Sequence, residues 1–187
     1  MPHTHETWTA ERVRALPDDG KRYELIAGEL VVTPAPRYAH QAAVLGLLRL
    51  LDPWLRQTGT HRVLMSPADI SLGEDEILQP DVFVYRTPDG RAVRDWRDIT
   101  ELLLVIEVLS PSTARYDRHL KRRRYQRAHV PEYWICDLDA RLIERWRPEE
   151  QRPEILVDRM VWQPNPEESV HIEIDVEAFF AEVLDER

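Results

Sequence analysis

The chain carries one cysteine, Cys136, and only six glycines and three phenylalanines in 187 residues. A single cysteine excludes an internal disulfide framework and a metal site built from thiolates. It sits in the apolar stretch EYWICDLD, which predicts a buried structural thiol rather than a nucleophile. No apolar run is long enough for a membrane span. The first residues, MPHTHETWTAERV, lack the charged and apolar regions of a secretory signal. A cytoplasmic protein without a membrane partner is expected. No glycine-rich phosphate loop occurs, and no G-x-S-x-G elbow frames Ser110 or Ser112. Repeats, low-complexity tracts and linkers are also missing, so residues 1–187 read as one domain with enough length for a core.

Charge, by contrast, is abundant and uneven. The net charge of −9 argues against a protein that coats nucleic acid indiscriminately. Yet residues 115–127, RYDRHLKRRRYQR, hold seven Lys/Arg against one Asp, while residues 148–187 hold three Arg against twelve Asp/Glu. The basic block is either a local phosphate-binding surface or the solvated face of one helix, and composition alone favours the second.

Patterning predicts strands and helices intermixed. WTAERVRALP reads as a short helix capped by Thr9. YELIAGELVV reads as a hairpin turning at Ala27-Gly28. Residues 38–57 have helical spacing, with Gly59 as terminator and Pro53 as a point where the helix bends or ends. HRVLMSPADISL, ILQPDVFVYR and LLLVIEVL read as strands, followed by a turn at SPST and a basic helix from about Tyr116 to Ala128. VPEYWICDLDARLIERWRP reads as strand, turn, strand. EILVDRMVW and VHIEID are strand-like, and EAFFAEVL is a closing helix. TPDGRAVRDW and QPNPEE read as loops. The order suggests an α/β or α+β fold with a mixed central sheet flanked by helices.

The glutamate in LLLVIEVL poses the chemical question. Glu107 lies in a run that reads as a strand buried on both faces, where a lone carboxylate is costly. Asp81 opens the strand of QPDVFVY. If the two strands are neighbours, two carboxylates meet at one end of a sheet and repel. A hard divalent cation, Mg²⁺ or Mn²⁺, resolves the repulsion and supports phosphodiester hydrolysis. Lys121 lies fourteen residues after Glu107 and shares a helical face with Asp117 and Tyr125. Packed over the strand end, its ammonium would orient water or stabilise developing charge. An ordinary Asp117–Lys121 surface pair is the plainer alternative. Pattern alone favours solvent-facing positions for Glu24 and Glu29, and a structural role for His40. Most of the six tryptophans read as core or local packing.

Taken in order and spacing, YELIAGELVV with PAPRYAHQ, then QPDVFVY, VIEVLSPSTARYDRHLKRRRY and VPEYWICD resemble the Uma-two family of the PD-(D/E)XK nuclease superfamily. The resemblance covers most of residues 22–147. It implies a restriction-endonuclease-like, roughly four-stranded mixed sheet flanked by helices, with an added N-terminal hairpin and C-terminal strands. It implies that Asp81, Glu107 and the Val108 carbonyl bind Mg²⁺ or Mn²⁺, and that Glu24 joins them. The superfamily's lysine, normally two residues after the acid, is replaced by Leu109; the family pattern places it at Lys121. On this reading the protein is a metal-dependent endonuclease acting on DNA. His40, Arg118, Arg122 and Tyr125 would contact the substrate, and a homodimer or higher homo-oligomer would cut both strands. The alternative is a catalytically inactive module of the same fold that binds nucleic acid or a protein partner.

Overall fold

The computed structural model describes residues 7–73, 76–87, 91, 93–164 and 171–185. Parts of the two expected loops, residues 88–90 and 92 in the first and 165–168 in the second, lie outside the described residues. The short helix α1 (Ala10–Arg14) is capped by Thr9, whose hydroxyl accepts from the Arg12 N–H at 3.3 Å. Strands β1 (Arg22–Ile26) and β2 (Glu29–Thr33) form the expected hairpin. Both turn residues have positive φ, 54° at Ala27 and 82° at Gly28, which suits the twist of a two-residue hairpin turn.

Helix α2 (Tyr38–Thr58) ends at Gly59 in the left-handed conformation and runs through Pro53 unbroken. Leu51 and Leu55, on either side of the proline, are wholly buried, so packing offsets the lost backbone hydrogen bond. The remaining strands and α-helices are β3 (His61–Met65), β4 (Val82–Arg86), β5 (Leu102–Val108), α3 (Arg122–Arg127), β6 (Glu132–Asp137), β7 (Leu142–Trp146), β8 (Glu154–Leu156), β9 (Arg159–Trp162), β10 (Ile172–Asp175) and α4 (Val176–Val183).

Six strands form the central sheet in the order β3-β4-β5-β6-β7-β8. Only β5 and β6 run parallel, joined by the crossover that contains the basic helix. The sheet is therefore two strands wider than the roughly four-stranded one implied by the resemblance. The β1–β2 hairpin and the β9–β10 ribbon lie outside it.

All seven residues of β5 are buried, as the apolar run predicts. Leu104, Ile106 and Val108 face the core shared with α2, α4 and the β9–β10 ribbon, together with Trp134 and Trp162. Val105 faces the second core, with Phe83, Tyr125, Tyr133 and Ile135. Period-two alternation then puts Glu107 on the second face, beneath the hairpin and the basic helix.

On the first face α2 and α4 approach closely at Gly46. A Cβ there would lie 2.8 Å from Val183 Cγ1 and 3.0 Å from Phe179 Cε2. Gly46→Val is therefore expected to destabilise the fold by about 1–3 kcal/mol through overpacking, whereas Gly73→Ala, whose Cβ meets nothing within 4 Å, should be close to neutral. Urea unfolding of both variants checks the contrast.

Candidate active site

Strand register brings the two acids together. Val82 pairs with Ile106, so Asp81, one residue before β4, lies at the level of Glu107. Asp81 Oδ2 accepts the Val108 N–H at 2.9 Å and meets His40 Nε2, from the first turn of α2, at 3.0 Å. Its Oδ1 accepts from Arg22 Nη1 at 2.6 Å. Arg22 Nη2 also donates to the Gln79 carbonyl.

Arg22 and Glu24 sit two apart on β1 and so share one face of the strand. Leu25 pairs with Ile77 through two backbone hydrogen bonds of 2.8 and 3.1 Å, which dock the hairpin against the segment leading to Asp81. Glu24 Oε1 accepts the Gln79 N–H at 2.8 Å, while its Oε2 is buried without a hydrogen-bond partner.

Lys121 arrives from the crossover. Its ammonium lies 3.1 Å from Glu24 Oε1, 3.1 Å from Glu107 Oε1 and 3.4 Å from Asp117 Oδ1. The basic helix was expected to be α-helical throughout, but residues Tyr116–Lys121 form a π-helix that leads into α3. The Asp117 carbonyl accepts both the Arg122 N–H, five residues on, and the Tyr133 hydroxyl at 3.1 Å. This wider turn carries both Asp117 and Lys121 inside.

The electrostatics follow from these contacts. Burial alone would raise the Asp81 carboxyl, but the His40 hydrogen bond and the Arg22 charge hold it well below the usual carboxylate range. Burial pushes Glu107 well above its ordinary value; Lys121 opposes this, and Asp81, Asp117 and Glu24 add to it. Asp117 is raised mainly by burial. For Lys121, burial would favour the neutral amine, but Glu107, Glu24 and Asp117 together raise its pKa well above 10.5, so it stays an ammonium. Burial likewise pushes the Cys136 thiol up, as expected of a structural cysteine.

Arg22, His40, Asp81, Glu107, Asp117 and Lys121 line one cavity of about 550 Å³, with Arg37 and the SPST turn on its wall. Of the residues singled out in the sequence, His40, Asp81, Glu107 and Lys121 line this cavity, while Glu24 and Val108 join the cluster from behind it, Glu24 through Lys121 and Val108 through its N–H to Asp81. Arg118 lines the same cavity but is held by Asp137 and Glu144 at 2.7 Å each. Arg122 and Tyr125 are not among the cavity's lining residues. Arg122 stacks on Trp146, 4.3 Å from the ring centroid. Tyr125 is wholly buried against Tyr133. Sequence reasoning missed Arg22, whose signal was the R-x-E alternation of β1, and left the Asp117–Lys121 pair between a surface contact and a place over the strand end; it is buried.

Among the described residues, no three or more His, Cys, Asp or Glu side chains stand ready-made around a metal position. The donor set nonetheless fits a hard dication. Four buried carboxyl groups (Glu24, Asp81, Glu107, Asp117) face two permanent cations (Arg22, Lys121), so with all four ionised the acids outnumber these cations by two, an imbalance a bound dication would offset. The unpartnered Glu24 Oε2 is an oxygen donor of the type such ions prefer.

A crystal structure described as "a putative nuclease belonging to DUF820 from Anabaena variabilis" superposes on the chain with a TM-score of 0.74. It is 16% identical, and the match covers 94% of this chain and 99% of that one, a likeness that carries the fold. The class is thus an α+β fold with a mixed central sheet flanked by helices, shared with that structure. The model of the Uma2 family, described as "Putative restriction endonuclease", matches residues 10–177, and the chain belongs to that family. No curated protein matches it.

The raised carboxyls make stability pH-dependent in a definite direction. Glu107 and Asp117 bind protons more tightly folded than unfolded, so their contribution grows as pH falls through their folded values. Asp81 acts oppositely, but its contribution is lost only below its unfolded value of 3.8. Metal-free protein is therefore expected to gain stability as pH falls from above the raised folded values of Glu107 and Asp117 toward the ordinary carboxylate range. Urea midpoints in the presence of chelator check this.

Proposed function

We propose that the chain is a metal-dependent endonuclease that hydrolyses DNA phosphodiester bonds. The supporting observation is the buried cluster of four carboxylates and two cations that opens into one cavity. Asp81 and Glu107, with the Val108 carbonyl, would hold Mg²⁺ or Mn²⁺, and Glu24 would complete the oxygen donor set. The bound ion would supply Lewis-acid stabilisation of charge at the phosphoryl group.

The protein's own groups have separable parts. Lys121 is a fixed ammonium and cannot accept a proton. Its contacts with three carboxylates make its role electrostatic: it holds their spacing and offsets negative charge as the phosphoryl centre reacts. His40 positions Asp81. Arg37 brings positive charge to the cavity wall, where a phosphate backbone would run, while Arg118 beside it is already paired with Asp137 and Glu144. Cutting both strands of a duplex calls for two such sites, so a two-fold pair of chains is the working assembly.

A second reading, an inactive module of the same fold, draws on the fact that Arg22 and Lys121 already neutralise part of the cluster. One experiment separates the two. Manganese or magnesium is titrated calorimetrically into wild type and an Asp81→Ala/Glu107→Ala double variant, and both are assayed on supercoiled plasmid. The endonuclease reading expects binding and nicking to disappear together in the variant, and Lys121→Ala to cut nicking by about 10²-fold or more. Specific metal binding without nicking of any DNA form would favour the inactive module.

A further inference from the structure

We propose that Arg22 is the resident counter-cation of Asp81, a lock that holds this carboxylate closed in the metal-free protein and competes with the divalent ion for it. The inference rests on the metal-site reading above. Both carboxylate oxygens of Asp81 already have partners in this structure. Its Oδ2 meets the Val108 N–H and His40, and the first of these is fixed by the sheet. Its Oδ1 is held by Arg22 alone among the hydrogen bonds and ion pairs of the described residues. An ion that binds Asp81 at Oδ1 must therefore share that oxygen with the guanidinium, against its positive charge, or displace it.

Arg22 is the cation built to move. Lys121 is tied to three carboxylates and is 2% exposed. Arg22 is 18% exposed, lines the cavity, and is held at only two acceptors, Asp81 and the Gln79 carbonyl. Its Nε is buried without a partner, so its present pose leaves one donor unsatisfied. Rotation toward the cavity frees Oδ1 and removes a positive charge from beside the ion. Glu107 needs no such release, since Lys121 engages it through Oε1.

The lock predicts that removing Arg22 tightens metal binding, whereas an Arg22 that merely props up Asp81 would, once removed, weaken it. Manganese is titrated calorimetrically into wild type, Arg22→Met, Arg22→Lys and Asp81→Asn, each first checked for folding by circular dichroism. Arg22→Met should bind manganese about tenfold or more tighter than wild type, the equivalent of one charge-assisted hydrogen bond. Arg22→Lys, which keeps the cation, should stay near wild type, and Asp81→Asn should lose binding. Equal or weaker binding by Arg22→Met, with binding still lost in Asp81→Asn, overturns the lock and leaves the metal site standing. Unchanged binding by Asp81→Asn removes the metal-site reading and the lock with it. Should Arg22→Met not fold, the unmutated protein gives the same decision by nitrogen NMR of the guanidinium. Slow rotation of the Arg22 group without metal should become fast at saturating Mg²⁺; slow rotation that persists with metal bound contradicts the lock.

Discussion

A buried ammonium surrounded by three carboxylates is the constraint around which this protein is organised. Lys121 cannot sit there unpaired, and Glu24, Glu107 and Asp117 cannot sit there without it. Each carboxylate comes from a different element, so satisfying the ammonium fixes how those elements meet. β1 must dock beside the segment that leads to Asp81, β5 must carry its charge in an otherwise apolar strand, and the crossover must widen into a π-turn. Such a cluster is a poor way to gain stability, because apolar residues of similar volume often do as well or better. Its presence is therefore better explained by chemistry than by folding.

Local contacts engage more than half of the basic block's positive charge. The basic block looks in the sequence like a broad phosphate-binding stripe. In the structure Lys121 is inside, Arg118 is held by Asp137 and Glu144, Arg122 lies over Trp146, and Arg124 pairs with Glu76. Arg115, Arg123 and Arg127 remain exposed. A smaller cationic surface on an acidic protein fits an enzyme that holds its substrate at one place better than one that coats a polymer.

How much of this was legible in the sequence differs by element. The hairpin, the long helix and the buried β5 strand follow from local patterning, because turn residues, a left-handed glycine and an unbroken apolar run each have one favoured structure. The meeting of Asp81 and Glu107 was legible as a condition on strand adjacency, and the β4–β5 register meets that condition. Glu24 was not: on pattern it faces solvent, and only the family resemblance suggested otherwise. Arg22 escaped because its partner Asp81 lies 59 residues away, and the burial of Asp117 was not legible because local spacing does not show the π-turn that carries it inside. Arg122 and Tyr125, expected as substrate contacts on the nuclease reading, pack against Trp146 and Tyr133, aromatic partners from other elements that the local sequence does not reveal.

The central claim is that this cluster of acids, with its two resident cations, is a divalent-metal site. Anomalous diffraction from crystals soaked in manganese tests it most directly. The account predicts a manganese peak between Asp81 and Glu107, with Lys121 still in place beside Glu107. Saturating manganese that leaves the cluster empty, or binds only elsewhere on the chain, would contradict it.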